Sequence, residues 1–588
     1  MTRVKHRSKE KQKTRTLSGS SQPVANSQAA EENLDTRTGI LKWLSDSDNI
    51  ILIFLILISI LPLWYFKYFP SQDGPSHLMN AKIIREYHKP ENAILREYYI
   101  FNTNFTPNWF IHLVLVGLLS IVPPLIAEKI LMTAYIILLP ISVRYILTVY
   151  GPESKFLAIL SFLFIFNFPF HLGFYSFCCS LPFFFFVLGY WLKYKERFTP
   201  KRVIYFTLLV TLLFFLHISS FVLTGMAIGF LFSWRVFLSF IEQIRQRRSS
   251  LYKLLREFRS TFISTFCAFM PATVLLVLFL SQQGTDSLPP RPFSFLLRQM
   301  FSLSVVSYSD AESTLSTIIS CLFLAISGYL LILKFLRKQT GHSDGLLILT
   351  SIYLYLYFTA PKAISGATYI EHRFLLYPFF TLIIWFGAQS INKYASIGIK
   401  IVAGAAFVIM IVLLMGKYAE LNDYTEEYVS EINLIEPNKT ILAFSLNNKE
   451  LPGGKVISRR VLPFLHTSGY IALQKNIVSL NNYEADTPHF PIAYRSELNP
   501  YSQIGHKIVN RAFSVSTLEA ENPYAKFSTY HERTGGRVDY VLVWGVGKTR
   551  TNDPKLKIVF DQLKIGYELI YTSPKRGLMQ LYRIKSSG

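Results

Sequence analysis

A short loop after the first long apolar segment holds an acid and an imidazole. Residues 69–77 read Phe-Pro-Ser-Gln-Asp-Gly-Pro-Ser-His, so Asp73 and His77 lie four positions apart. A helix cannot continue through Pro70 or through the Gly-Pro pair that ends at Pro75, and the stretch is predicted to be a shaped loop. If a helix begins at that pair, both side chains share one face. An ionised Asp73 would serve as a general base, and His77 would orient it or contact a phosphate.

The same residues also fit a purely structural role. Asp is a favoured N-cap residue and Pro a favoured first-turn residue, so Asp73 could simply cap a helix that begins near Pro75. The two interpretations differ in the expected effect of Asp73→Asn. Asn caps a helix nearly as well as Asp does, but it cannot accept a proton as a general base.

Composition identifies the class of protein. Of 588 residues, 51% are hydrophobic and only 16% are charged, against about 25% in soluble domains. The net charge of +23 comes from basic residues in short segments between apolar runs, which is typical of cytoplasmic loops and not of a nucleic-acid-binding surface. The four cysteines, Cys178, Cys179, Cys267 and Cys321, lie in apolar runs without metal-site spacing. We therefore expect a multi-pass membrane protein without disulfides, zinc or a nucleic-acid partner.

The first third of the chain sets the topology. Residues 1–45 are polar and basic and are expected to form a disordered cytoplasmic tail. A transmembrane domain is predicted over 46–416, with an uncleaved anchor near 49–66 and then an external loop at 67–107. The next apolar run, 108–122, has about fifteen residues, whereas a spanning helix needs about 20. If this run lies on the outer surface, every short basic loop falls on the cytoplasmic side, as the positive-inside bias requires.

Ten further apolar runs complete the predicted bundle of about eleven transmembrane helices. They are 125–147, 155–169, 177–192, 202–217, 219–235, 261–281, 316–334, 345–360, 373–389 and 397–416. An odd number of spans places residues 417–588 on the same side as the Asp73 loop. This segment is polar enough to form a soluble α/β or α+β domain, and it contains no glycine-rich phosphate loop. Its strand-like runs are 440–444, 538–544, 567–571 and 578–584, with a helical period over 555–563.

The predicted topology brings further polar residues to the outer face. They are His171, His217, Arg291, Arg298, Lys362, Glu371, His372 and Arg373. Each one alone is more often an interfacial polar residue than a ligand contact, and Arg373 could merely anchor its span by reaching the interface. Their convergence with the Asp73 loop indicates a binding site. Fixed Arg and Lys side chains bind phosphate, so Arg373, with Lys362 or Arg298 as helper, is predicted to hold the phosphate of a lipid carrier.

These features resemble the GT-C class of integral-membrane glycosyltransferases. The resemblance covers about residues 49–416 by architecture and is sharpest at 72–78, at 107–109 and at 167–174. It implies an enzyme of the bacterial plasma membrane that takes a sugar from a polyprenyl-phosphate donor. It also implies an extracytoplasmic glycan, lipid or protein as the acceptor, and it makes Asp73 the acid of the first external loop.

The chain departs from this class at the acid itself. Many members carry two acids at or near that position, whereas Asp73 is followed by Gly74 and the nearest later acid is Glu86. A lone carboxylate is a poor divalent-cation site. A divalent metal is therefore possible but has no paired-acid motif to support it, and no residue is assigned as a metal ligand.

Two other functions remain open at this stage. A lipid-linked glycan polymerase or ligase usually places its key Arg and His in a large loop late in the chain, whereas the first long loop here is early. A polytopic transporter or flippase normally shows charges in the middle of the membrane or two related halves, and neither is evident. Transfer or hydrolysis of a polyprenyl-phosphate sugar by the purified protein would separate these readings.

Overall fold

The computed structural model describes most of the chain after residue 44. The described residues are 45–585 apart from 104–106, 108, 247–250, 283, 285–286, 309, 339–340, 365–366, 447–454, 459, 506–526 and 547–556. The predicted disordered tail therefore lies almost wholly outside them. The chain divides into two compact units, Met1–Ile53 and Phe54–Gly588. In the first unit, the described residues include the beginning of the helix Ser47–Tyr65. The remaining elements and the site lie in the second unit.

Helices dominate the described residues. In chain order they are α1 (Ser47–Tyr65), α2 (Gly74–Glu86), α3 (Ala93–Tyr98), α4 (Trp109–Leu119), α5 (Pro124–Thr148), α6 (Ile159–Phe162), α7 (Phe168–Leu172), α8 (Tyr175–Tyr194), α9 (Pro200–Leu216), α10 (Ile218–Arg245), α11 (Leu251–Ser281), α12 (Phe293–Phe301), α13 (Ser313–Leu336), α14 (Asp344–Thr359), α15 (Ile370–Phe374), α16 (Leu376–Gly387), α17 (Lys393–Tyr428), α18 (Ser468–Gln474), α19 (Tyr483–Asp486), α20 (Tyr530–Thr534) and α21 (Lys557–Gly566).

Seven of these helices are long and apolar enough to cross a membrane. They are α1, α5, α8, α10, α11, α13 and α17. Each carries a strongly apolar window with almost no charge, which the hydrocarbon core requires, and the helical form satisfies every backbone polar group within the segment. The protein is thus a multi-pass helical membrane protein, as its composition predicts. The run expected to lie on the surface forms α4, which at 11 residues is too short to span.

The predicted span at 155–169 is not one continuous helix. Its residues form a 3-10 helix, Pro152–Ala158, and then the short helices α6 and α7. Asn167 caps α7, because its side chain accepts a hydrogen bond from the amide of Phe170 at 2.9 Å. The segment is nonetheless buried from Leu157 to Leu172. An apolar run that is buried inside protein does not have to be a membrane-crossing helix, because neighbouring side chains can satisfy its backbone.

The C-terminal part is built on a mixed five-stranded sheet, in the order β6-β5-β8-β10-β9. The described strands are β1 (Tyr99–Phe101), β2 (Ser287–Leu288), β3 (Ala363–Ile364), β4 (Ala367–Thr368), β5 (Lys439–Ser445), β6 (Ile477–Ser479), β7 (Ile492–Tyr494), β8 (Tyr540–Trp544), β9 (Tyr567–Thr572) and β10 (Met579–Ile584). The central strands β5 and β8 run parallel, and β10 pairs antiparallel with both β8 and β9. Strands β5, β8, β9 and β10 confirm the four strand-like runs predicted from the sequence, and α21 confirms the helical period before β9.

The first loop and the C-terminal domain pack directly on each other. Strand β1, from the loop, pairs antiparallel with β7, so that Tyr99 lies opposite Tyr494. The ammonium group of Lys82 on α2 donates to the last carbonyls of α18, including that of Ala472 at 2.9 Å. A Cβ at Gly469 would lie 2.6 Å from the carbonyl oxygen of Pro75, so only glycine allows this approach. The Asp73 loop and the C-terminal domain therefore share one face of the helical bundle.

Candidate functional site

The loop that carries Asp73 is held by the backbone of a second turn. The amides of Gln72 and Asp73 donate to the carbonyls of His171 and Leu172, both at 3.1 Å. The turn ends at Gly173, which has a φ of +83° and lies so close that a Cβ there would be 2.8 Å from the amide nitrogen of Gly74. Glycine is required at this position both by its backbone conformation and by the close approach. The turn that ends at Gly173, about a hundred residues away in sequence, thus fixes the backbone position of Asp73.

The Asp73 side chain does not cap α2. It occupies the N-cap position, but its carboxylate accepts no capping hydrogen bond among the described residues. Instead it accepts a hydrogen bond from the side-chain amide of Gln72 at 3.1 Å and one from the Tyr483 hydroxyl. Its Oδ1 also lies 3.6 Å from Nε2 of His466. Burial raises the pKa of Asp73 to about 7, although the charge of His77 and the bond from Gln72 act in the opposite direction.

Beside Asp73 lies a buried cluster of two imidazoles and a carboxylate: His77 on α2, His112 on α4 and Glu484 on α19. Nδ1 of His77 is 2.8 Å from Oε1 of Glu484, and Nε2 of His112 is 2.9 Å from Oε2. His77 Nε2 donates to the carbonyl of Gly173 at 2.9 Å, and the amide of Asn80 donates to Glu484 Oε2 at 2.7 Å. The cluster therefore joins three segments that are distant in sequence.

Charge is shared within this cluster. Burial alone would lower the pKa of His77, but the negative charges of Glu484 and Asp73 outweigh it and raise that pKa to about 9. Burial likewise opposes ionisation of Glu484, yet the two imidazoles hold the pKa of its carboxyl well below its usual range. By contrast, burial lowers the pKa of His466 to about 3, so this imidazole beside Asp73 is neutral near pH 7.

Two partly buried guanidinium groups stack on aromatic rings that neighbour Tyr369. Arg373 stacks on Phe174, with 4.5 Å from its carbon Cζ to the ring centroid, and Arg460 stacks on Phe168 at 4.3 Å. Both rings pack against the ring of Tyr369. Within the described part of the chain, Nε of Arg373 and Nη2 of Arg460 are buried without a hydrogen-bond partner. Cationic donors in this condition suit an anionic ligand.

Tyr369 stands in a strained backbone conformation, with a φ of +57°. Residues other than glycine seldom adopt a positive φ, and those that do cluster at functional sites. Its phenol is close enough to Asp73, Arg291, Glu371 and Arg460 for their charges to act on it, and burial raises its pKa. The Tyr369 phenol therefore lies within electrostatic range of both the first-loop carboxylate and the guanidinium of Arg460.

Glu371 joins two other predicted site residues. Its Oε1 accepts a hydrogen bond from Nε of Arg291 at 2.7 Å and lies 3.4 Å from Nδ1 of His372. Burial opposes ionisation, but these partners prevail and lower the pKa of Glu371 to about 2. Arg291 is thus neutralised by Glu371, which leaves Arg373 and Arg460 as the guanidinium groups with donors to spare.

The remaining predicted residues lie in different surroundings. His217 lies 3.4 Å from Nη1 of Arg373 and so belongs to the same group. The side chain of His171 bonds the hydroxyl of Tyr418 at 2.7 Å, and only its backbone supports the Asp73 loop. Lys362 and Arg298 are exposed and make no ion pair with any described residue. Neither is placed in contact with Arg373.

Several residues of the site could not be found from the sequence pattern. Glu484, His466 and Arg460 belong to the C-terminal domain, for which the sequence shows no functional motif. His112 is the single imidazole of the apolar helix α4, where an isolated His gives only a weak signal. Glu128, in the second turn of α5, is buried and accepts a hydrogen bond from the hydroxyl of Tyr175, which also contacts Ser71 in the loop. A buried acid in an apolar helix was the one signal available for it.

Comparison with known proteins adds no assignment to this geometry. A scan against protein-family models returns no match, and no curated protein matches the sequence. The description of the site therefore rests on its own chemistry.

Proposed function

We propose that the protein is a membrane glycosyltransferase that transfers a sugar from a polyprenyl-phosphate donor to an extracytoplasmic acceptor, with Asp73 as general base. One observation carries the proposal: Asp73 is a buried carboxylate with no capping role, and its pKa is raised to about 7. A general base works best when its pKa lies near the operating pH. Such a group is costly to bury, and a purely structural role would not require it.

The guanidinium groups supply the second part of this chemistry. Arg373 and Arg460 present unpartnered donors beside Tyr369, and Arg binds phosphate through two parallel hydrogen bonds. Lys362 and Arg298 are exposed, so we propose Arg460, in place of either, as the partner of Arg373 in holding the donor phosphate.

We propose the following reaction for these residues. Asp73 accepts the proton of the acceptor hydroxyl while that oxygen forms a bond to the anomeric carbon of the sugar. The bond from this carbon to the phosphate oxygen of the lipid breaks, and the phosphate leaves with the electron pair. Arg373 and Arg460 stabilise the charge that develops on the leaving phosphate. His77 and His466 hold the loop and the surroundings of Asp73.

The proposal includes a topology of about eleven spans in a bacterial plasma membrane, with the N-terminal tail cytoplasmic. Helices such as α9, α14 and α16 are shorter than a standard span and would then cross where the bilayer is locally thinner. Single cysteines at Ser18 and Ser528, in a background without the four native ones, test it on intact cells. An impermeant thiol reagent should label only the second, because Ser528 is exposed in the C-terminal domain. Labelling at Ser18 would overturn the assignment of faces.

Activity is tested with the full chain in detergent. Wild-type protein should release sugar from, or transfer it out of, a polyprenyl-phosphate sugar, and Asp73→Asn should be slower by about 10²–10⁴-fold, the usual value of general-base catalysis. Arg298→Ala, at an exposed position, serves as the matched control and should keep full activity. Transport without sugar transfer by the wild type in vesicles would favour a flippase. A flippase would be expected to carry a charged residue near the middle of a membrane-spanning helix. The buried acid Glu128 instead lies in the second turn of α5, near its end.

A further inference from the structure

The cluster of His77, His112 and Glu484 has the composition of a metal site. One nitrogen from each imidazole and a carboxylate oxygen all lie within 4.8 Å of one another, and all three residues are buried. Two histidines and one glutamate form a common three-residue ligand set for Zn²⁺. The sequence predicts no zinc because the cysteines lack the spacing, but this set draws on positions more than 400 residues apart and has no local motif.

Two atoms of the cluster are left without proper partners by the protein alone. His77 Nδ1 and Glu484 Oε1 are 2.8 Å apart, yet among the described residues neither has a hydrogen-bond partner of acceptable geometry. Buried polar atoms are rarely left in this state. Both atoms approach the same small region. Nε2 of His112 lies 2.9 Å from Oε2, the other oxygen of the Glu484 carboxylate.

The surroundings orient two of the three side chains as ligands. A metal-bound histidine usually donates its other ring N–H to a carbonyl or carboxylate. His77 does this, since Nε2 bonds the carbonyl of Gly173 at 2.9 Å, and Nδ1 is the ring nitrogen that faces Glu484 and would bind the ion after losing its proton. The carboxylate is in turn fixed by the amide of Asn80 at 2.7 Å. These contacts set the orientation of the His77 ring and of the Glu484 carboxylate before any ion arrives.

We propose that His77 Nδ1, His112 Nε2 and Glu484 bind one Zn²⁺, with water as the fourth ligand. Tetrahedral bonds of about 2.0–2.1 Å separate ligand atoms by about 3.3 Å. The present contacts of 2.8 and 2.9 Å would open by a few tenths of an ångström, and the wider separations among the three ligand atoms, which lie within 4.8 Å of one another, would close around the ion. Binding displaces the proton from His77 Nδ1. The ion would tie α2, α4 and the C-terminal domain together, a role independent of whether the protein transfers sugars.

Metal content tests the site directly. The full chain, purified in detergent through a tag without histidine, is loaded with Zn²⁺, desalted and measured for zinc and protein. We expect about one zinc per chain in the wild type and nearly none in Glu484→Gln or His112→Gln. His88→Gln, at an exposed histidine close to α2, is the matched control and should keep its zinc. A wild type without zinc, or a zinc content unchanged in both ligand variants, overturns the proposal.

A second measurement uses the wild type alone, in case the variants do not fold. X-ray absorption at the zinc edge should show only nitrogen and oxygen neighbours at about 2.0–2.1 Å, with the outer scattering of two imidazole rings. A sulfur neighbour near 2.3 Å would assign the zinc to cysteine and overturn the site. A chelator should also lower the melting temperature of the zinc-loaded wild type, because a ligand that binds only the folded state stabilises it.

Discussion

Replacing Asp73 by Asn should stabilise the folded protein above neutral pH. Burial raises the pKa of Asp73 from 3.8 to about 7, so the folded protein holds this proton more tightly than the unfolded chain does. Between these two pH values the unfolded chain has released its proton and the folded protein has not, and the free energy of unfolding therefore falls as pH rises. Above pH 7 the whole penalty is present, about 4 kcal/mol at about 1.36 kcal/mol per pH unit.

The substitution isolates this penalty because Asn keeps the shape of Asp. Its Oδ1 can still accept the hydrogen bond from Gln72, but its amide cannot ionise. Near pH 5 the wild-type carboxyl is protonated and only about 1.6 kcal/mol of the penalty is present, from about 1.2 pH units above 3.8, so the variant should melt only slightly higher than the wild type. At pH 8 the variant should melt a few degrees higher, by thermal unfolding in detergent, while its transfer activity is about 10²–10⁴-fold lower.

Glu371→Gln is the matched control, with the opposite sign. Its hydrogen bonds and charge partners prevail over burial and lower the pKa of Glu371 from 4.5 to about 2. The carboxylate therefore contributes stability that is present above pH 4.5 and is lost as pH falls toward 2. Glu371→Gln should melt lower than wild type at both pH 5 and pH 8. If Asp73→Asn behaves in the same way, the ionised Asp73 supports the fold and the argument for a poised base is refuted.

Three further substitutions test the phosphate-binding residues and the contact between the first loop and the C-terminal domain. Arg460→Lys and Arg373→Lys should each weaken binding of a polyprenyl-phosphate donor about tenfold or more, because Lys cannot form the paired bonds of a guanidinium; Arg298→Lys should not, and equal affinity in all three variants would contradict the assignment. Gly469→Ala should cost about 1–3 kcal/mol of stability, since its Cβ would lie 2.6 Å from the Pro75 carbonyl. Gly566→Ala, where a Cβ meets nothing within 4 Å, is its control, and equal melting temperatures would show that α18 is free to move.

The sequence alone determined the local structure and the class of protein. Long apolar windows require helices in a bilayer, and seven of the predicted runs are helices of sufficient length. The hairpin of β9 and β10 and the strands β5 and β8 follow from local pattern, because each is an uninterrupted run of strand-forming residues between turn residues. The Asp73 loop was also readable, since Pro and Gly restrict the backbone by their own covalent structure.

Only the tertiary structure decided which groups meet that loop. Glu484 and Arg460 come from a domain several hundred residues away, and their positions depend on the pairing of β1 with β7 and on the seat of α18 against α2. No local spacing encodes such contacts, because they arise from packing between elements and not from the period of either one. The same packing allowed the buried segment at 155–169 to break into short helices. It also buried the Asp73 side chain without giving it a capping role in α2. This burial raises the pKa of the carboxyl, and no linear pattern in the sequence records it.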